Sequence, residues 1–168
     1  MSSPNAFQIS LLVSSFFVTV VFGFLLVFSI VIMPGIGNLK DAEFLHAFQV
    51  IDRVIQDNQP IFVVVWIATV PAILTSLGLG VHGCENAVQL SFLVLATFAV
   101  LISQITTVTV NIPRNNRLQA LDFDKLDDFT AKGERDHFES VWCKSNTFRT
   151  WLFGFAAIVL MVLLLVVQ

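Results

Sequence analysis

The side chains able to do chemistry cluster where long apolar runs end. The run Leu90 to Val110 carries no charge, and "VNIPRNNRL" follows, with Asn111, Asn115, Asn116, Arg114 and Arg117 within a few residues. Two other stretches share its character. "IDRVIQDNQP" holds Asp52, Arg53 and Gln56, and "WCKSNTFR" holds Trp142, Asn146 and Arg149. Amides and guanidiniums recognise carbonyls and anions by hydrogen bonding and charge. Other chemistries lack their residues. His46 and His137 share a side with Cys143, but no H-x-x-x-H or C-x-x-C spacing joins them, so no metal site is expected. No serine-nucleophile motif or phosphate loop is present. "GLGVHG", Gly78 to Gly83, spells a dinucleotide fingerprint without the βαβ unit it requires and reads as the turn after a membrane helix, with His82 and Glu85 in solvent.

The elements that must position these groups are membrane helices. Of 168 residues, 56% are hydrophobic and 12% charged, and mean hydropathy is +0.83. Soluble domains carry roughly 25% charged residues, and one this small could not bury so much apolar surface. A span needs about 20 mostly apolar residues. Phe7 to Met33, Pro60 to Gly80, Ala87 to Val110 and Thr150 to Val167 qualify, giving one domain over 1–168. The first run has no basic leader and a core far longer than a signal peptide's, so it reads as a retained helix. The expected fold is an all-α integral membrane four-helix bundle, with an amphipathic helix in its first charged segment and a long final helix. All nine Lys and Arg fall in Pro34 to Gln59 or Asn111 to Arg149. The positive-inside rule predicts both segments in the cytoplasm (or matrix) and both termini outside. Cys84 and Cys143 then lie on opposite sides and cannot pair. A net charge of −3 offers no case for a nucleic-acid partner.

Finer expectations follow along the chain. Ser15, Thr19 and Gly23 form a small-residue stripe for helix packing. Met33-Pro34-Gly35 should end the first helix. Asp41 should cap an amphipathic helix reaching Asn58, with Phe44, Phe48, Ile51 and Ile55 on one face and His46, Gln49, Arg53 and Gln56 on the other. Thr97, Gln104, Thr107 and Asn111 draw a polar stripe facing the bundle interior, with Gln104 as a hydrogen-bond hub or the floor of a pocket. Pro113 should stop the third helix and Arg114 bind lipid phosphate. Gly133 should break the chain, leaving Glu134 to Gln168 as one helix, with Phe138, Trp142, Asn146 and Arg149 on one face. Trp142 and Trp151 suit the interface, and Arg149 can snorkel.

With four spans, the polar patches reach the same end of the bundle. There they would surround a cavity with an apolar floor and a rim of amides and guanidiniums, as small-molecule pockets are commonly built. The spacing of "MPG", "IDRVIQDNQP", "VNIPRNNRL" and "WCKSNTFR" resembles a family of four-helix membrane proteins, long known as a domain of unknown function, that includes the anthrone oxygenases of polyketide pathways. The N-x-P-x-N run at Asn111, Pro113 and Asn115 is its most specific element. Trp142, Asn146 and Arg149 match the family's closing W-x-x-[WY]-N-x-x-R pattern, with Ser145 where an aromatic is common. The resemblance implies oxidation of an anthrone to an anthraquinone by O₂ without a cofactor. That chemistry needs a base, for which His46, Asp52 or, second, His137 qualifies. It also needs groups to hold the resulting anion: Arg53, Arg117, Arg149, Asn111 and Asn115. Gln56, Gln104, Trp142 and Asn146 complete the rim. A non-catalytic protein that binds a membrane lipid, a quinone or a partner subunit fits the same rim. A transporter fits less well, since no charge lies within the spans.

Overall fold

Apolar periodicity over such lengths can only satisfy its backbone in lipid as helix, and the computed structural model is helical throughout its regular structure. It describes residues 5–57 and 59–167; Asn58, the end of the expected amphipathic helix, lies outside them. Five helices make the fold: α1 (Ala6–Ile36), α2 (Asp41–Gln56), α3 (Pro60–Gly83), α4 (Ala87–Gln119) and α5 (Asp128–Val166). A short 3₁₀ turn, Phe123–Lys125, precedes α5. All but α2 are long and apolar enough to cross a membrane. α1 packs against α3 and α5, and α4 closes the bundle against α5 and α3. At the charged end α2 lies on α5 and on the last turns of α4. At the other end Gln8 Nε2 donates to the Val167 carbonyl at 3.1 Å, so the two ends of the chain meet.

Two apolar clusters divide the interior. One fills the spans with residues such as Leu11, Val18, Ile73, Leu93, Phe153 and Leu160. The other sits beneath α2 at the charged end: Phe28, Met33, Phe44, Phe48, Leu118, Phe138 and Trp142. Arg135 fixes the α1–α2 corner, donating to the carbonyls of Gly37 (2.8 Å) and Leu39 (2.9 Å) and to Asp41 (3.1 Å).

Several helix ends lie beyond their expected positions. α1 does not end at Met33-Pro34-Gly35, and α4 does not stop at Pro113. In each, a π turn precedes the proline: Phe28–Ile32 before Pro34, Thr107–Asn111 before Pro113. Proline breaks helices by lacking an N–H and by clashing with the carbonyl four residues back. The wider turn pairs Met33 N–H with Phe28 O and Ile112 N–H with Thr107 O, five residues back, and carries the helix past. Gly133 does not break the chain either, because α5 starts at Asp128 under an Asp127 cap. A glycine inside a long packed helix costs only about 1 kcal/mol. Lys40, not Asp41, is the N-cap residue, and the Glu43 carboxylate accepts its N–H. "GLGVHG" forms the last turns of α3 rather than a loop. Gly80 and Gly83 there, and Gly154 on α5, mark close approach where Gly23 does not: a Cβ on Gly80 would strike Leu93, one on Gly83 would strike Phe7, and one on Gly154 would lie 2.9 Å from Phe22. A Cβ on Gly23 would meet nothing within 4 Å.

Candidate functional site

The amphipathic helix α2 buries more than its apolar stripe. Gln49 and Asp52, on its inner edge, are 4% and 2% exposed. Gln49 Nε2 faces the carbonyls of Leu118 (3.2 Å), Gln119 (3.3 Å) and Leu121 (3.4 Å), where α4 runs out of helical donors. Gln119 Nε2 answers with a bond to the Gln49 carbonyl at 3.0 Å. This reciprocal amide clamp seats α2 across the end of α4.

The clamp delivers Asp52 to a ring of amides. Its carboxylate accepts from Asn115 Nδ2 at 2.8 Å, Gln119 Nε2 at 3.0 Å and Gln56 Nε2 at 3.3 Å. Burial raises the Asp52 pKa above its ordinary value, and the three amide donors only partly oppose that. Asn115 Oδ1 in turn accepts from Trp142 Nε1 at 2.9 Å, so one asparagine links α2, α4 and α5. One turn earlier on α4, Asn111 Oδ1 accepts from Ser145 Oγ at 2.7 Å, while its Nδ2 is buried without a partner among the described residues. Asn146 Nδ2 donates to Leu25 O (3.0 Å) and Ser29 Oγ (2.8 Å), beside the π turn of α1.

These groups border a cavity of about 210 Å³ among α1, α2, α3, α4 and α5. Phe24, Phe28, Phe48, Phe62 and Trp66 form its apolar wall. Asp52, Gln56, Asn111, Asn115, Asn146 and Arg149 give it polar lining. Arg149 is the unusual member. It is 4% exposed and therefore does not snorkel. Its guanidinium carbon lies 5.4 Å from the Trp66 ring centre, and its Nε is buried with no hydrogen-bond partner among the described residues. A buried guanidinium without an acceptor is costly, and the cavity it borders is where an acceptor could sit.

The expected rim is thus divided. Asp52, Gln56, Asn111, Asn115, Trp142, Asn146 and Arg149 come together. His46 does not join them: it is exposed on α2, its ring 5.1 Å from Phe123. Arg53, two turns further along α2, is exposed as well. Arg117 turns outward into a bidentate pair with Glu134 at 2.8 and 2.9 Å. His137 is exposed. Gln104 is partly exposed and outside the lining, while its neighbour Ser103 is fully buried. Arg114 bonds the Val110 carbonyl at 2.9 Å. Trp142, expected at the interface, is 5% exposed, whereas Trp151, at 75%, faces outward as expected. Sequence reasoning missed Gln49 and Gln119. Gln49, Asp52 and Gln56 at i, i+3, i+7 were the available signal for a buried polar edge. The aromatic wall carried no signal among 17 phenylalanines.

A protein-family model described as anthrone oxygenase matches residues 44–159. The chain belongs to the anthrone oxygenase family. No curated protein and no solved structure matches it. The match to the anthrone oxygenase model contains every polar residue named above as lining the cavity, from Asp52 to Arg149, and begins after α1. The α1 share of the wall, Phe24, Leu25 and Phe28, therefore lies outside the matched segment.

Proposed function

We propose that the cavity binds a hydrophobic aromatic ketone of the anthrone type and promotes its oxidation by O₂ without a cofactor. The observation that carries this reading is Arg149, buried, unpartnered at Nε and facing the same space as Asp52. Asp52, with its pKa raised by burial, is the proposed base. It takes a proton from the methylene group, and conjugation spreads the resulting charge onto the ketone oxygen. Arg149 and the free Nδ2 of Asn111 hold that oxygen, with an interaction that strengthens as charge develops. The electron-rich carbon forms a bond to O₂, and protonation gives a hydroperoxide. Loss of the remaining hydrogen on that carbon, with cleavage of the O–O bond, releases water and leaves a carbonyl. One oxygen atom enters the product and one leaves as water, so no outside reductant is needed.

The reading also includes orientation. Both Lys- and Arg-bearing segments lie at one end of the bundle, and we propose that this end is cytoplasmic, with both termini outside. Membrane lipid surrounds the exposed apolar faces.

Oxygen uptake by the purified chain with anthrone-like phenolic ketones tests the chemistry. Turnover should fall in the order wild type, Arg149→Lys, Arg149→Gln, because lysine keeps the charge but loses the planar fork of donors. Substrate binding should change less than turnover. Asp52→Asn should abolish turnover while retaining binding. Folded protein with no substrate-dependent uptake across such a panel would shift the reading to a non-catalytic lipid-, quinone- or subunit-binding site.

A further inference from the structure

Beside the cavity lies a second, apolar space of about 320 Å³ between α1, α2 and the start of α3. Phe24, Ile55, Phe62 and Trp66 belong to the linings of both, so the partition between them is one side chain thick. The partition is made mostly of rings. Phe62 and Trp66 stack at 5.3 Å, and Phe24 meets Phe62 at 4.8 Å. On its outer lip Ile61, Val54 and Val20 are 71%, 59% and 41% exposed, Ile61 and Val20 on membrane-spanning helices and Val54 on the amphipathic α2. The groove thus opens sideways, toward lipid. In the other direction, toward water, Phe48 and Trp142 are tightly packed in the cavity wall, the Gln49–Gln119 clamp lies beyond its lining, and the exposed Gln56 borders it.

We propose that the ligand is an amphiphile that enters from the bilayer, places its ring at Arg149 and leaves an alkyl tail in this groove. The inference rests on the proposed ring site and adds the tail and the route. Volume supports it. Ligand pockets commonly measure about 300–1,000 Å³. The cavity alone, at about 210 Å³, falls short, and the cavity with the adjoining groove does not. The distribution of polarity supports it too: among the described residues, the charged lining groups are at the ring end and Gln59 is the one polar residue lining the groove. Rotamer changes of partly exposed rings are fast enough to open such a partition. Lipid is as apolar as the groove, so the tail gains little free energy by leaving it. The groove fixes where the tail lies rather than how tightly the molecule binds, and the test must read position.

The probe is a hydroxyaryl ketone carrying an octyl chain that ends in a diazirine, photolysed with the full chain in lipid nanodiscs and followed by peptide mapping. A second apolar groove, between α4 and α5 at Phe92, Ile158 and Val162, serves as the internal control, because no polar lining residue but Gln89 borders it. Adducts on α1 and α3 around Val20, Ile61 and Val65 should exceed those on the control groove several-fold. An excess of the ketone without its chain should suppress them, and so should Val54→Trp, a change at an exposed position that spares the core. Equal labelling of the two grooves, or labelling that ignores the competitor, overturns the tail and the route. Tryptophan quenching by the chainless ketone separates the two readings. If that ketone binds the wild type and is turned over more slowly by Arg149→Gln while the tail labels at random, only the present inference falls. If it does not bind at all, both fall.

Discussion

Asn115→Leu keeps the side-chain size, takes the acceptor from the buried Trp142 Nε1 and leaves Asp52 with two of its three amide donors. In the native arrangement Asn115 donates to Asp52 at 2.8 Å and accepts from Trp142 at 2.9 Å. Asp52 and Trp142 are 2% and 5% exposed, so water cannot replace the lost partner freely. A buried donor left unsatisfied costs about 1–3 kcal/mol, and a lost bond to a carboxylate about 1.5–3 kcal/mol. Together about 3–5 kcal/mol is expected, on the order of 10 °C in apparent melting temperature for a chain of this length. The effect has a pH signature. The folded Asp52 pKa already lies above its ordinary value, so the native state holds a proton that the unfolded chain releases, and stability declines as pH rises through that window. Asn115 is one of the donors holding this pKa down. Its loss raises the pKa further, so the penalty is full above the raised value and shrinks as pH falls through it. Melting in detergent across a pH series, followed by intrinsic fluorescence, should show a gap between variant and wild type that narrows toward acid. A variant that melts with the wild type across the series, or a gap that widens in acid, would refute the reasoning.

Gly154→Ala should lower stability by about 1–3 kcal/mol through overpacking against Phe22. Gly23→Ala, open on every side, should be neutral or stabilising by up to about 1 kcal/mol; thermal melts of the pair would show whether the two glycines differ as the packing requires. Arg117→Ala should change stability by less than about 1 kcal/mol, because the guanidinium is mostly exposed, and should leave ketone turnover unchanged. In a background lacking Cys84 and Cys143, an impermeant maleimide applied to intact cells should label Ala87→Cys and spare Ser140→Cys; the reverse pattern would invert the proposed orientation.

The spans were legible because hydrocarbon demands long uncharged runs, and the amphipathic helix because its apolar spacing repeats. The convergence of Asp52, Asn111, Asn115, Trp142, Asn146 and Arg149 was legible for a related reason: amides and guanidiniums near the ends of apolar helices need partners. What the spacing could not show was where the turns widen. The stripe Thr97, Gln104, Thr107, Asn111 assumes an unbroken α-helix, but the π turn at Thr107–Asn111 lies between Gln104 and the site. Gln104, in the regular part of the helix, sits at the edge of the face buried by Ala96, Val100 and Ser103 and falls outside the lining, while Thr107 and Asn111 are in it. Arg53 and Arg117 were misplaced for another reason. Charge alone does not distinguish a group aimed into a cavity from one aimed at water or at Glu134. His46, weighed with Asp52 as the base, lies one turn before Gln49 on α2 but is exposed, with its ring against Phe123.

The π turns give the bundle two independent angular settings. An added residue in one turn rotates everything beyond it by about 100°, so the lipid-spanning part of α4 and its site-bearing tail need not share a helical phase. The first can be tuned to its neighbours in the membrane while the second aims Asn115 at Asp52 and Trp142. α1 carries the same device, at Phe28–Ile32. Deleting a single residue from Thr107–Asn111 would therefore act as a rotation rather than a shortening. It would swing Asn115 out of its bonds and bring a different side chain to the carboxylate, with the membrane anchor left as it was.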